Sequence, residues 1–188
     1  MLDENDTFWR DRLPHWHKAG RELFITMRVA ETLPKTVIER FKEIADTPRQ
    51  MEPHSEAFLA ERRRYFATLE KYLDSGNGFC PFYDARAAEI LAQEMTDSQE
   101  QGWVFQAWAI MPNHLHVLVK AEENAVEMKS FWQTFKGRTA RAVNQCLERQ
   151  GSFWQREWFD HWLRDGEREK VIDYIISNPI KARLPEIW

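Results

Sequence analysis

A chain of 188 residues with 43% hydrophobic content can bury a core of its own and suits one domain. Its net charge of -4 at pH 7 argues against a protein that coats nucleic acid nonspecifically. No apolar run approaches the roughly 18 residues that span a bilayer, the opening residues lack the basic start and apolar core of a signal peptide, and Cys80 and Cys146 stand apart without a C-x-x-C pattern, so the expectation is a cytoplasmic protein with no membrane segment, disulfide framework or zinc knuckle.

Residues 1–20 read as a polar and aromatic arm, in which His15 and His17 form an H-x-H pair that follows a proline and lacks a strand pattern. Residues 22–30 alternate Leu23, Ile25, Met27 and Val29 against Phe24, Thr26 and Arg28, which predicts a strand. Helical spacing follows over 35–45 and 54–74, the second ending in the turn cluster 74–78, and again over 84–95. Arg62, Arg63 and Arg64 read as a solvated helix face, with phosphate contact the alternative. A hairpin is predicted from 103–111 and 114–119, then a helix over 126–149 closed by Gly151. Residues 153–163 read as a fourth strand. The final helix, 167–178, is expected to be capped by Asp165 and stopped by Pro179, with Val171, Ile172, Ile175 and Ile176 as its buried stripe. This order fits an α+β fold, a ferredoxin-like or RRM-like four-stranded antiparallel sheet with helices packed on one face. No repeat or linker divides it, so 1–188 reads as a single domain with a helical insertion at about 48–100.

Chemistry concentrates in Met111-Pro112-Asn113-His114-Leu115-His116-Val117-Leu118-Val119. On a strand His114 and His116 share one face while Leu115, Val117 and Val119 share the other, so a core can form on one side and two imidazoles can stand together on the opposite side. Such a pair is two ligands of a divalent-ion site. In the last helix Tyr174 falls at the margin of the apolar stripe and Asn178 lies one turn further on. A tyrosine there can simply pack with its hydroxyl at the surface. A phenol beside a metal can also attack a phosphodiester, and His114, His116 and Asn178 would then supply three ligands, a set that suits Mg²⁺ or Mn²⁺.

MPNHLHVLV resembles the M-P-N-H-x-H-hydrophobic-hydrophobic motif of REP-associated tyrosine transposases, and YIISNPIKARL resembles their Y-I-x-x-N-P-x-K-x-x-L ending. WHKAGRELFITMRVAETLP, FWQTFKGRTARAVN and FWQREWFDHWLRD extend the likeness over nearly the whole chain. The family belongs to the HUH single-tyrosine endonuclease class. The resemblance implies that His114, His116 and Asn178 bind the metal, that Tyr174 is the nucleophile, and that single-stranded DNA is nicked and rejoined at palindromic repeat hairpins through a 5′-phosphotyrosine. It further implies DNA transposition or recombination, a monomer and no nucleotide cofactor. The usual glycine of the ending is Arg183 here, which bears on DNA contacts. Lys136, Arg138, Arg141, Arg156, His161 and Arg164 are the candidate DNA contacts, although phosphate contacts position a strand without reading it. The alternative is a noncatalytic nucleic-acid-binding module, with one or two of the nine Trp residues as stacking platforms. A structural zinc protein is disfavoured because no cysteines accompany the histidines.

Overall fold

The computed structural model describes residues 7–10, 14–17, 20–34, 36–39, 55–76 and 78–184. The predicted helix over 35–45 is seen as helical residues 36–39, and the rest of it lies outside the described residues. The expected arm contains an antiparallel pair, β1 (Thr7–Arg10) and β2 (Pro14–His17), so the His15-x-His17 segment is a strand after all. Its conformation is set by pairing and by the docking of His15 on β6, which no local pattern announces.

The main sheet comprises β3 (Glu22–Arg28), β4 (Trp103–Met111), β5 (His114–Ala121) and β6 (Phe159–Trp162), antiparallel throughout, in the order β4-β5-β3-β6. Among the described residues, four long helices accompany it besides the helical residues 36–39: α1 (Glu56–Leu73), α2 (Ala85–Asp97), α3 (Met128–Cys146) and α4 (Arg168–Lys181). Three start where a side chain satisfies an orphan N–H: Ser55 accepts from Phe58, Asp84 from Arg86, and Glu127 from Lys129 and Ser130.

Helices cover both faces of the sheet rather than one. Leu23, Ile25, Met27, Leu115, Val117 and Val119 pack with Leu91 and Met95 of α2 and Phe131, Trp132 and Phe135 of α3. Phe24, Ala109 and Leu118, on the other face, pack with Ile175 of α4, and Phe66 of α1 joins them. The face carrying the histidines is therefore roofed. A ring such as Trp103 or Trp132, both fully buried, removes about 150–250 Å² from water, an upper-bound stabilisation of roughly 4–6 kcal/mol before entropy is subtracted.

Three boundaries differ from the sequence expectation. The fourth strand shrinks to Phe159–Trp162 because Phe153, Trp154 and Trp158 all turn into the same core, which breaks alternation, leaving one bridge between Val29 and Trp154. Helix α3 ends before Gly151: Glu148 takes the left-handed conformation (φ 51°) just past the cap at Leu147. Pro179 does not stop α4, which runs on to Lys181, since in the last turn proline forfeits one N–H bond and Ala182 N–H still donates to the Asn178 carbonyl at 3.0 Å. At its start Asp165 pairs with Arg21 rather than capping, and Glu167 holds the N-cap position without a side-chain cap. Ile176, expected in the buried stripe, is exposed, and Asn178 is buried in its place.

Candidate metal centre and nucleophile

Met111 pairs with His114 across a two-residue turn, Pro112-Asn113. That turn is pinned from two sides, by Phe82 N–H to the Pro112 carbonyl (3.1 Å) and by Val29 N–H to the Asn113 carbonyl (2.9 Å). His114 and His116 are both fully buried, on the face opposite Leu115 and Val117 as alternation requires, and their Nε2 atoms stand 3.0 Å apart.

The outer ring nitrogens are occupied. Asn113 Nδ2 donates to the Leu73 carbonyl (3.3 Å), which turns its Oδ1 toward His114 Nδ1 at 2.7 Å. An amide oxygen only accepts, so His114 carries its proton on Nδ1 and presents a lone pair at Nε2. His116 Nδ1 meets Thr26 Oγ1 at 2.8 Å, a hydroxyl that can donate or accept, which holds the orientation of the second ring. Burial first, and the neighbouring His116 second, hold the pKa of His114 well below the ordinary imidazole value. Its neutral form is the form that ligates.

Tyr174, on α4, reaches the same place. Its ring lies 5.5 Å from that of His116 between centroids, edge-on to Phe24 at 5.7 Å and to Phe66 at 6.1 Å. Its hydroxyl donates to Glu70 Oε2, and that same oxygen is 3.3 Å from His116 Nε2. Glu70 sits on α1 and is 8% exposed. Sequence reading leaves it out. The signal available is weak: Glu70 falls on the apolar stripe of α1 with Phe66, Leu69 and Leu73, where an unpaired acid is out of place.

The ligand atoms of Glu70, His114 and His116 lie within 4.8 Å of one another. Two observations fit a cation here. Two ring nitrogens and a carboxylate oxygen converge on one buried point, and Glu70 Oε1 is buried with no hydrogen-bond partner among the described residues. Two neutral nitrogens and one carboxylate are a donor set for a divalent transition ion with open positions. Asn178, one turn beyond Tyr174, is buried at 5% exposure with its Nδ2 also unpartnered among the described residues.

The candidate DNA contacts are scattered. Lys136, Arg138 and Arg141 lie on α3, which packs on the sheet face away from the imidazoles. The Lys136 ammonium donates to the Gln155 and Arg156 carbonyls, and Arg138 pairs with Glu94 at 3.2 Å. Arg141 and Arg156 are exposed, and Arg164 is half-buried with its N–H donating to Glu167. His161 pairs with Glu167 at 3.0 Å. Of the Arg62–Arg64 run, Arg62 turns inward to Asp160, while Arg63 and Arg64 meet Glu56 and Glu61. Trp108 is an exposed Trp, at 42%, on the face of Val117.

Among known proteins, a curated chain of Haemophilus influenzae, provisionally named a REP-associated tyrosine transposase, is 28% identical over 91 residues, which are 43% of this chain and 52% of that one. The match thus spans about half the length of that relative. A solved structure described as the REP-associated tyrosine transposase bound to a REP hairpin aligns with 89% of this chain and 71% of its own at a TM-score of 0.50 and 15% identity, a likeness of fold. The family model described as "Transposase IS200 like" matches residues 84–178, just over half the chain. That span opens at the cap of α2 and closes on Asn178, so it holds the hairpin that aligns the imidazoles and the part of α4 that carries Tyr174 and Asn178, and the chain belongs to the IS200-like transposase family.

Proposed function

We propose that this protein nicks and rejoins single-stranded DNA at hairpin-forming repeats, with Tyr174 as nucleophile and a divalent ion, Mg²⁺ or Mn²⁺, on His114 and His116. Asn178 is the further ligand that the family resemblance suggests. The observation that carries the reading is the meeting of the Tyr174 phenol and two imidazole nitrogens at one carboxylate, although the residues come from β5, α4 and α1. The hairpin substrate is drawn from the description of the solved neighbour and from the name of the curated relative. We take 1–188 as one domain of HUH type, with about 48–100 as its insertion.

In this reaction the Tyr174 oxygen forms a bond to phosphorus as the bond from phosphorus to the 3′ oxygen breaks, and the phenolic proton ends on the released 3′-hydroxyl. The product is a 5′-phosphotyrosine. Rejoining is the same exchange reversed, so the energy of the ester is conserved and no nucleotide is needed. The ion supplies polarisation of the phosphate and stabilisation of the departing alkoxide. Phe24 and Phe66 pack edge-on to the phenol ring and to each other, which restricts its approach.

The test is incubation with a 3′-labelled pool of single-stranded hairpins with randomised flanks in Mn²⁺. A covalent protein–DNA adduct is expected from the parent, none from Tyr174→Phe, and none from His114→Ala. Adduct formation by Tyr174→Phe at the parental rate would remove the nucleophile from this reading. Hairpin binding with no adduct under any metal would point to a noncatalytic DNA-binding module instead.

A further inference from the structure

We infer that Glu70 is a positioning residue that ties the ion to the nucleophile: one carboxylate oxygen holds the Tyr174 hydroxyl and the group as a whole is the anionic ligand beside His114 and His116. The inference rests on the nuclease reading for its purpose, although the ion-binding half stands without it. Glu70 lies outside residues 84–178, so the family match says nothing of it.

The geometry is specific. Glu70 Oε2 accepts from the Tyr174 hydroxyl and lies 3.3 Å from His116 Nε2, while Oε1 is buried with no donor among the described residues. A carboxylate oxygen in that state costs free energy unless a cation meets it. Placement of the residue is also built in. Asn113 Nδ2 donates to the carbonyl of Leu73, three residues after Glu70 and at the last residue of α1, and Asn113 Oδ1 meets His114 Nδ1. One asparagine therefore fastens the end of α1 to the same turn that aligns the imidazoles. Leu69 and Leu73, both nearly fully buried, anchor the same end of the helix in a cluster with Leu33 and Val37. Without α1 the phenol would keep its aromatic neighbour Phe24 but lose the acceptor that orients its hydroxyl.

The net charge of the ligand set follows. With two imidazoles alone the protein offers a dication no negative charge; with Glu70 it offers one. Glu70→Gln keeps the volume and the acceptor oxygen but removes that charge.

The experiment uses the full chain as parent, Glu70→Gln and Glu70→Asp, with three measurements: Mn²⁺ binding by calorimetry without DNA, thermal midpoint, and single-turnover adduct formation with the hairpin pool at saturating Mn²⁺. Glu70→Gln is expected to bind Mn²⁺ roughly tenfold to a hundredfold more weakly, to melt no lower than the parent, and to form adduct more slowly even when the ion saturates. Glu70→Asp is expected to recover part of the Mn²⁺ affinity. A purely structural carboxylate would lower the melting midpoint and leave Mn²⁺ affinity unchanged, which overturns the inference. Adduct formation in Glu70→Gln equal to or faster than the parent overturns it too, the latter marking Glu70 as a plug. If the parent forms no adduct but loses Mn²⁺ affinity on Glu70→Gln, the nuclease reading fails and the ion-binding role of Glu70 is supported.

Discussion

Replacing His15 with Gln should remove a pH dependence of stability that the parent carries between about pH 6.5 and 9. His15 is 1% exposed, its Nδ1 pairs with Asp160, itself 2% exposed, its Nε2 is 3.5 Å from Glu157, and its ring lies 4.4 Å from Trp158. Burial by itself lowers the pKa of this imidazole, but the two carboxylates outweigh burial and raise it from 6.5 to about 9. A base whose folded pKa is raised stabilises fully below its unfolded value and loses that contribution as pH rises through the folded one. The whole contribution is roughly 3 kcal/mol, at 1.36 kcal/mol per pKa unit. Lys136 acts with the opposite sign. Burial lowers its pKa from 10.5 to about 8, so a destabilisation present at low pH is relieved above pH 8. The parent should therefore lose roughly 1 kcal/mol between pH 6.5 and 8 and then level off to pH 9 as the two effects oppose. Urea unfolding at four pH values from about 6 to 9, read as the difference between parent and His15→Gln, isolates the first effect. The same series with Lys136→Met should show the fall continuing to pH 9. Parallel curves for parent and His15→Gln would refute the reasoning, because the ion pair with Asp160 would then contribute nothing to folding.

Asn113→Ala should weaken Mn²⁺ binding by roughly tenfold to a hundredfold, since it takes away the acceptor that fixes the His114 tautomer; calorimetry reads it. Thr26→Val should do the same through His116, at a cost of about 1–3 kcal/mol of stability for the buried ring nitrogen left without that partner. Equal Mn²⁺ affinity in both variants and the parent would show that the outer ring nitrogens do not matter. Gly102 has φ 77°, and a Cβ there would come within 2.7 Å of Ala125 Cα, so Gly102→Ala should cost about 1–3 kcal/mol and lower the melting midpoint by several degrees, with no change in Mn²⁺ affinity.

Local pattern determined a good deal of this protein. Alternation in 22–30 and 103–119 specified three sheet strands and put His114 and His116 on the face opposite Leu115 and Val117, because a strand repeats every two residues whatever it packs against. Helical period located the body of α1, α2, α3 and α4, although the caps expected at Gly151 and Asp165 were not the ones used. Local pattern also set Tyr174 and Asn178 one turn apart on α4.

Tertiary structure decided the rest. Glu70 meets Tyr174, 104 residues away, and His15 meets Asp160, 145 residues away, and no periodicity encodes a contact between elements so distant. Phe153, Trp154 and Trp158 abandon alternation because the cavity between the sheet and its helices has room for all three. A strand or a helix is fixed by neighbours a few residues off, and a site is fixed by which elements stack; Glu70 reaches His116 and Tyr174 because α1 packs where it does.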